Sequence, residues 1–326
     1  MGARNPRPFY LGGNLAQKFH YGGQAVIEGV MMRGQKALAV AVRRPNGDIV
    51  VDQKPLGGMS TGKIRNVPLA RGIIVLIETL VLGIQALFYS ASVSLEEEQQ
   101  VSPWWLWGSV VVGFLLAIGL FMVIPLTIIR YADPYISSTV SNVIEGVIRL
   151  AIFLVYLGVI SLMPDIRRVF AYHGAEHKTI NAYEAGEPLE VERVKRYSTA
   201  HSRCGTNFIL IVMVMAIIAF AFLGRPPLWI RYMERILLLP VIAAVSYEII
   251  KFGANHITNS VVRFVLSPGL ALQVMTTRQP DDRQIEVAIS ALQRVLALDA
   301  EPPKLAEEAA PVTGMTGGTG GVNLQQ

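Results

Sequence analysis

Runs of apolar residues divide much of this chain into segments long enough to cross a lipid bilayer. Four runs with at most one charged residue each occupy positions 104–129, 147–163, 208–223 and 236–250. A helix rises about 1.5 Å per residue, so roughly 20 residues span the ~30 Å hydrocarbon core. The first run opens with Trp104 and Trp105, which suit the membrane interface. The pattern predicts a mainly α-helical, polytopic membrane protein with about four transmembrane helices, in a domain of residues 104–250.

A fifth apolar run, at positions 69–91, is long enough to span but carries Glu78 and Gln85. These residues lie seven apart and therefore on one helical face, which is compatible with a fifth span, a re-entrant helix or an interfacial helix. With four spans, the basic N-terminal segment, the basic 164–206 loop and the C-terminal segment share one side of the membrane, as positive-inside orientation requires. We therefore expect an interfacial or re-entrant helix at 69–91 and both termini in the cytoplasm.

The N-terminal part has strand rather than span character. After a polar tail at 1–21, residues 22–68 predict a small cytoplasmic β element of two or three strands. Its centre is a hairpin in which Asn46-Gly47 joins two β-rich arms, and Asn-Gly is typical of a type I′ turn.

The C-terminal part returns to helical periodicity outside the spans. Residues 251–298 predict an interfacial helix followed by an amphipathic helix that begins at the N-cap residue Asp281. The remaining residues, 299–326, are rich in Pro, Gly, Thr and Gln, so we expect a disordered tail.

Composition supports a membrane protein and indicates which class of partner the chain binds. Charged residues make up 16% of the chain, against roughly 25% in soluble domains. The formal net charge of +5 indicates attraction to membrane lipids rather than nucleic-acid binding. The single cysteine, Cys204, implies no internal disulfide.

A short motif between the second and third runs carries the candidate chemistry. His173, Glu176 and His177 form H-x-x-E-H, the pattern of inverted zincins. On a helix the two imidazoles lie one turn apart and can reach one metal, and Glu176 is placed to act as a general base. A match to so short a motif also arises by chance, and the same side chains fit a hydrogen-bonded polar network at the membrane face.

A third metal ligand is required, and two residues at the end of the same loop are available. His201 and Cys204 bring three of the five histidines and the only cysteine into residues 173–204. His256 and Glu248 are weaker alternatives, because a structural role is the simpler explanation for His256 and Glu248 lies within a predicted span. The donor set predicts Zn²⁺, although Fe and Mn are compatible with it.

Four acidic residues in or near the apolar segments, Glu28, Glu78, Glu145 and Glu248, are candidates for function. Pairing with an arginine such as Arg71 or Arg149 is the simpler interpretation.

Several motifs together resemble one known family. They are Gly22-Gly-Gln-Ala-Val-Ile-Glu-Gly-Val-Met-Met-Arg-Gly34, Tyr172-His-Gly-Ala-Glu-His-Lys178, His201-Ser-Arg-Cys-Gly-Thr206, Leu239-Pro240 with Tyr247-Glu248, and Pro268-Gly-Leu with Gln273 and Thr276-Thr277-Arg278. From about 22 to 298, the chain resembles the YqhQ-like membrane proteins, domain of unknown function 1385. The resemblance implies a protein of the bacterial cytoplasmic membrane and a metal-dependent enzyme whose substrate is unassigned.

Two functions follow as hypotheses. The first is a metal-dependent zinc hydrolase at the cytoplasmic membrane face, with His173, His177 and either His201 or Cys204 as ligands, Glu176 as base, and a peptide or lipid-derived substrate. The second is a non-catalytic assembly or scaffold factor for other membrane proteins, with the hairpin around Asn46-Gly47 as its partner site.

Overall fold

The computed structural model describes residues 19–57, 67–95, 102–256 and 259–301. The predicted tail at 1–21 and the predicted disordered tail at 299–326 therefore lie largely outside the described residues. The last described helix runs to Ala300, slightly beyond the predicted boundary at 298, because the Asp299 carboxylate accepts hydrogen bonds from the backbone N–H groups of Gln35 and Lys36.

The β element is a four-stranded antiparallel sheet in the order β1-β2-β3-β4, larger than the two or three strands predicted. Its strands are β1 (Gly22–Val26), β2 (Gly29–Arg33), β3 (Ala37–Arg43) and β4 (Ile49–Pro55). The extra hairpin turns at Ile27 and Glu28, and Glu28 has a positive φ of 52°. A non-glycine residue in this region gives no turn signal in the sequence, which explains why the sequence analysis underestimated the sheet.

The hairpin between β3 and β4 is present, but its turn is not the type I′ turn predicted. Type I′ requires positive φ at both central residues, whereas at this turn only Gly47 has one, at 96°. The Gly47 N–H donates to the carbonyl of Arg44, and the Arg44 N–H donates to that of Asp48. Pro45 therefore sits at the first central position, where its fixed φ suits the turn.

The described helices follow the sheet in chain order. They are α1 (Ala70–Val93), α2 (Pro103–Ile118), a π-helical turn (Gly119–Val123), α3 (Ile124–Arg130), a short 3-10 turn (Asp133–Tyr135), α4 (Ser138–Ile160), α5 (Pro164–Glu184), α6 (Val191–Val194), α7 (Gly205–Ala221), α8 (Leu228–Asn255), α9 (Ser260–Thr276) and α10 (Asp282–Ala300). Much of the predicted 164–206 loop is thus helical.

Among the described residues, four helical segments are long and apolar enough to cross a membrane: Ala70–Val93, Trp104–Arg130, Ser138–Ile160 and Leu228–Gly253. Their number matches the prediction, but the set differs. The run at 69–91 qualifies as α1, while the run at 208–223 becomes the shorter, 17-residue α7.

The α2–α3 segment forms a helix hairpin with α4, and α7 forms another with α8. The 131–137 and 222–227 connections lie together, because Arg225 donates to the carbonyls of Asp133 and Ile136 and Asn142 donates to that of Leu223 at 2.9 Å. We call this the loop end. The sheet, α5 and α10 form the other end, the sheet end. The α2–α3 segment and α7 run toward the loop end, and α4 and α8 return.

Helix α1 lies between α8 and the sheet, and Arg71 at its start pairs with Glu248 of α8. Its Ala86, with Leu82 and Tyr89, packs against one face of the sheet, and Glu78 pairs with Arg33 of β2 at 2.9 Å. The other face of the sheet packs against α5 and α10 in the largest buried apolar cluster. Helix α5 is therefore held firmly against the sheet, which positions the motif that it carries.

Candidate metal centre

The H-x-x-E-H motif lies on α5, as its spacing predicts. Pro164 occupies the first turn of the helix, where a missing N–H has no cost. The rings of His173 and His177 lie on one face, with centroids 4.4 Å apart. His177 and Glu176 are buried, and His173 is half-buried.

Backbone carbonyls from other segments orient both imidazoles. The Nδ1 of His173 lies 2.8 Å from the carbonyl oxygen of Thr276, and the Nδ1 of His177 lies 2.5 Å from that of Thr199. Because a carbonyl oxygen can only accept a hydrogen bond, each Nδ1 must carry the proton. The lone pair of each neutral ring is thus on Nε2, the arrangement that second-shell partners impose on metal-binding histidines.

Cys204 completes a group of three ligand atoms. Its Sγ lies 3.3 Å from the Nε2 of His173, and one ligand atom each from His173, His177 and Cys204 lie within 4.8 Å of one another. Cys204 is the N-cap of α7, and its sulfur accepts a hydrogen bond from the Thr206 N–H at 3.4 Å.

The donor set and its spacing fit a tetrahedral transition metal. With Zn–N of about 2.0–2.1 Å and Zn–S of about 2.3 Å, neighbouring ligand atoms should lie roughly 3.3–3.6 Å apart. The 3.3 Å between sulfur and Nε2 is about 0.2–0.3 Å shorter than the nitrogen–sulfur distance at the upper end of this range. Three protein ligands would leave one coordination position open, as in catalytic rather than structural zinc sites.

Glu176 lies beside this group and is itself held in place. Its Oε1 accepts a hydrogen bond from the Gly23 N–H of β1 at 3.0 Å. Its Oε2 lies 3.6 Å from the Nε2 of His177 and 4.0 Å from that of His173. One carboxylate oxygen is therefore fixed by the sheet, while the other faces the space between the candidate ligands.

The other candidate ligands have other partners. His201 is buried beside His177, but its Nε2 is 3.6 Å from Glu184 and its backbone is bonded to the Gln273 amide. His256 bonds to the Phe252 carbonyl, and Glu248 pairs with Arg71. Of the two residues proposed for the third position, Cys204 rather than His201 joins the group of three.

Comparison with known proteins settles the family. Residues 67–298 match the family described as protein of unknown function DUF1385. The chain is also 35% identical, over 301 residues, to the uncharacterized protein YqhQ of Bacillus subtilis (strain 168), an alignment that covers 86% of this chain and 93% of that protein. The chain belongs to the DUF1385 family. No solved structure matches the chain.

These comparisons confirm the family resemblance seen in the sequence. Neither description names a metal, a substrate or a reaction, so the metal-dependent activity that the resemblance implied stays a prediction for this DUF1385 protein.

Glu28 connects α5 to the β1–β2 turn. Its carboxylate accepts hydrogen bonds from Arg168 and from the Tyr172 hydroxyl at 3.2 Å. Burial, together with the Glu28 charge, raises the pKa of Tyr172. These contacts explain how a non-glycine residue is retained at positive φ, and they lie one and two turns before Glu176.

Polar contacts from the second half of α5 fix the segment at 195–203. Lys178 is buried and donates to the carbonyls of Lys195 and Tyr197, and burial lowers its pKa. Burial alone would raise the pKa of Glu184, but the hydrogen bond with His201 and the charge of Arg203 outweigh it and lower that pKa. Both contacts fix the 195–203 segment that supplies the Thr199 carbonyl.

Gly174 provides a direct test of how α5 meets α9. A Cβ on Gly174 would lie 2.1 Å from the carbonyl oxygen of Arg278. Because backbone cannot yield as a flexible side chain can, Gly174→Ala should displace the 276–278 segment, weaken the Thr276–His173 hydrogen bond and cost about 1–3 kcal/mol of stability. We expect a lower Tm in detergent for this variant.

Gly158→Ala is the matched control for that substitution, since its Cβ would have an ordinary contact of 3.8 Å. An unchanged Tm for Gly174→Ala would show that the α5–α9 approach is loose.

One buried charged cluster contains Glu145 and Arg149, which the sequence pattern indicated, and Asp133, Arg231 and Arg235, which it did not. In the half of the helices nearer the loop end, the carboxylate of Glu145 on α4 accepts hydrogen bonds from Arg149 and from Arg235 of α8. Arg231 bonds to Asp133 at 2.8 Å and lies 3.9 Å from Glu145. We name the set Glu145, Arg149, Arg231, Arg235 and Asp133 the arginine cluster.

A signal for the arginine cluster was present in the sequence. Glu145 and Arg149 are four residues apart, as are Arg231 and Arg235, and each pair lies on one helical face. The expected pairing of Glu78 and Glu248 with arginines also occurs, with Arg33 and Arg71.

Proposed function

We propose that this DUF1385 protein is a metal-dependent hydrolase that binds Zn²⁺ through His173, His177 and Cys204. The observation that carries the proposal is the convergence of two Nε2 atoms, on rings whose Nδ1 faces a backbone carbonyl, and one sulfur, with the carboxylate of Glu176 beside them. A lone H-x-x-E-H match has no such support. Here each imidazole is oriented by a carbonyl and the carboxylate by the Gly23 N–H.

The chain's own residues have defined parts in this chemistry. A bound Zn²⁺ supplies a Lewis acid and activates water near neutral pH. Glu176 would accept a proton from water at Oε2 and return it to the leaving group, acting as general base and then general acid. Gly23 keeps the carboxylate aimed, and the carbonyls of Thr199 and Thr276 keep both rings in the metal-binding tautomer.

We place the centre at the cytoplasmic face of a bacterial membrane. The α2–α3 segment, α4, α7 and α8 would cross, and α1 would lie at the interface, because one side of α1 packs on the sheet while Ile77 and Leu80 on it are exposed. The basic residues of the 164–206 segment are at the sheet end, whereas Arg225 is the one basic residue of the two loop-end connections. The positive-inside rule then puts the sheet end, and with it both termini, in the cytoplasm.

That position limits the substrate. Cys204 begins α7, which enters the bilayer in this arrangement, and Thr276 ends α9 beside it. We therefore expect a peptide or lipid-derived substrate presented at the membrane surface, with lipids and other membrane proteins as neighbours.

Metal content tests the proposal. Protein purified in detergent without chelator should contain near-stoichiometric zinc by mass spectrometry, and His173→Ala/His177→Ala should lose it, because one sulfur alone cannot hold the ion. His256→Ala is the control, since His256 is exposed and lies outside the ligand group. Iron or manganese in place of zinc would correct the identity of the metal but leave the proposed ligand residues unchanged. A metal-free parent with a well-folded double variant would refute the proposal.

A further inference from the structure

The edge of the sheet opposite β1 is formed by β4, and its outer side is open. The Arg44 N–H donates to the Asp48 carbonyl at 2.9 Å, so these two residues are a hydrogen-bonded pair. Hydrogen-bonded and non-hydrogen-bonded pairs alternate from there along β3 and β4. Val50 and Asp52 then bond to β3, while Val51 and Gln53 direct their N–H and C=O groups outward. No described strand pairs with this edge, and Val51 is 37% exposed.

Helix α10 runs beside this edge and makes it one wall of a groove. Glu286 pairs with Arg43 next to the start of β4, and Arg294 donates to the Gln53 side chain at 2.5 Å. A pocket of mixed polarity lies at the start of β4, and its lining includes the apolar residues Ile49, Leu189, Val191 and Ile289. Lys36, Ala37, Pro55, Arg294 and Leu298 line a second pocket at its end. We call this feature the β4–α10 groove.

We propose that the β4–α10 groove binds an extended polypeptide segment of a partner protein by strand addition. A sheet edge offers alternating donors and acceptors, which only another backbone in extended conformation complements along its whole length. The side pockets would then receive alternate side chains of the added strand. This site is separate from the candidate metal centre, and the inference does not depend on the proposed hydrolase activity.

Charge gives the added strand a preferred polarity. The carboxylates of Glu190 and Glu286 lie at the Ile49 end, where Arg43 pairs with Glu286, whereas at the Pro55 end Lys36, Lys54 and Arg294 outnumber Glu301. The nearby Asp299 carboxylate already accepts hydrogen bonds from backbone N–H groups, and Arg294 is exposed. The segment that fits carries a cationic side chain at the first end and an anionic one at the second.

Two fluorescein-labelled heptapeptides test the proposal against full-length protein in detergent. One reads Lys-Thr-Val-Thr-Val-Thr-Glu and the other is its reversal, and each has a counterpart N-methylated at alternate amides. Val51→Pro removes an outward N–H without removing a ladder hydrogen bond, and Val51→Thr is the matched control. By fluorescence anisotropy, the parent and Val51→Thr should bind one of the two peptides. Val51→Pro or N-methylation should weaken binding about tenfold or more, the factor that loss of one or two hydrogen bonds gives.

Each other result overturns the proposal. Peptide binding that survives both Val51→Pro and N-methylation would place the ligand elsewhere, and absence of binding to the parent would leave the edge without this partner. A dimer that Val51→Pro dissociates would show that a second copy fills the groove. Binding that appears only after removal of residues 302–326 would assign it to the chain's own tail. Should Val51→Pro fail to fold, the N-methylated peptides decide. Repeating the measurement on chelator-treated protein separates this result from the fate of the hydrolase proposal.

Discussion

Glu176→Gln is expected to reduce hydrolysis about 10²–10⁴-fold, the range that a positioned general base contributes. Glutamine keeps the shape of the side chain and an oxygen that can accept the Gly23 N–H, which lies 3.0 Å from Oε1 in the parent. It loses the ability to accept a proton at the other position. Metal content and Tm should therefore stay close to those of the parent while turnover falls.

The measurement pairs turnover with metal analysis on the same preparations. A fluorogenic casein and a fluorogenic phospholipid cover the two expected substrate classes, and Glu192→Gln, an exposed carboxylate paired with Lys195, is the control. Parental turnover by Glu176→Gln would exclude it as the base. Loss of metal in this variant would instead make Glu176 a ligand.

How much of the candidate metal centre the sequence could predict depends on whether side-chain or main-chain atoms form it. The spacing of His173 and His177 encodes their common helical face, so periodicity alone placed them together. The groups that orient these two rings are main-chain carbonyls of Thr276 and Thr199, and the group that orients Glu176 is the main-chain N–H of Gly23. Every residue carries such atoms, so residue type gives no indication of which ones will lie there.

The choice between His201 and Cys204 was open for a related reason. Both lie at the end of the same segment, and three residues of backbone decide which side chain faces α5. Gln273 of α9 bonds to the His201 N–H and carbonyl, and Cys204 becomes the N-cap of α7. This selection depends on contacts across 72 positions of the chain, which local spacing cannot reveal.

Hydropathy predicted the first residues of two apolar helices too late in the chain. The sequence predicted helices from 147 and from 236, but they begin at Ser138 and Leu228. The omitted turns contain Asn142, Glu145, Arg231 and Arg235, whose polarity lowers any local hydropathy average. Their side chains bond to one another across α4 and α8, although Arg231 Nε and one terminal nitrogen of Arg235 are buried without a partner among the described residues. Part of their cost in an apolar environment is therefore offset by partners that a single-segment pattern does not contain.

Glu145→Gln is expected to destabilise the protein by about 3–5 kcal/mol, the usual cost of removing one partner from a buried ion pair. Glu145 is fully buried and is the carboxylate that both Arg149 and Arg235 contact. A neutral amide would leave Asp133 as the one carboxylate of the arginine cluster beside its three arginines. The Phe220 ring, 4.6 Å from the Arg235 guanidinium, offsets part of that charge but cannot replace the carboxylate.

An exposed pair provides the contrast for that prediction. Glu286 pairs with Arg43 at 2.8 Å, but its side chain is 48% exposed, so Glu286→Gln should cost no more than about 1 kcal/mol. Thermal unfolding in detergent would separate the two variants, and adding Arg235→Gln to Glu145→Gln should restore part of the loss if the two side chains are coupled. Equal Tm values for Glu145→Gln and Glu286→Gln would mean that water, rather than Glu145, screens the arginines inside the helices.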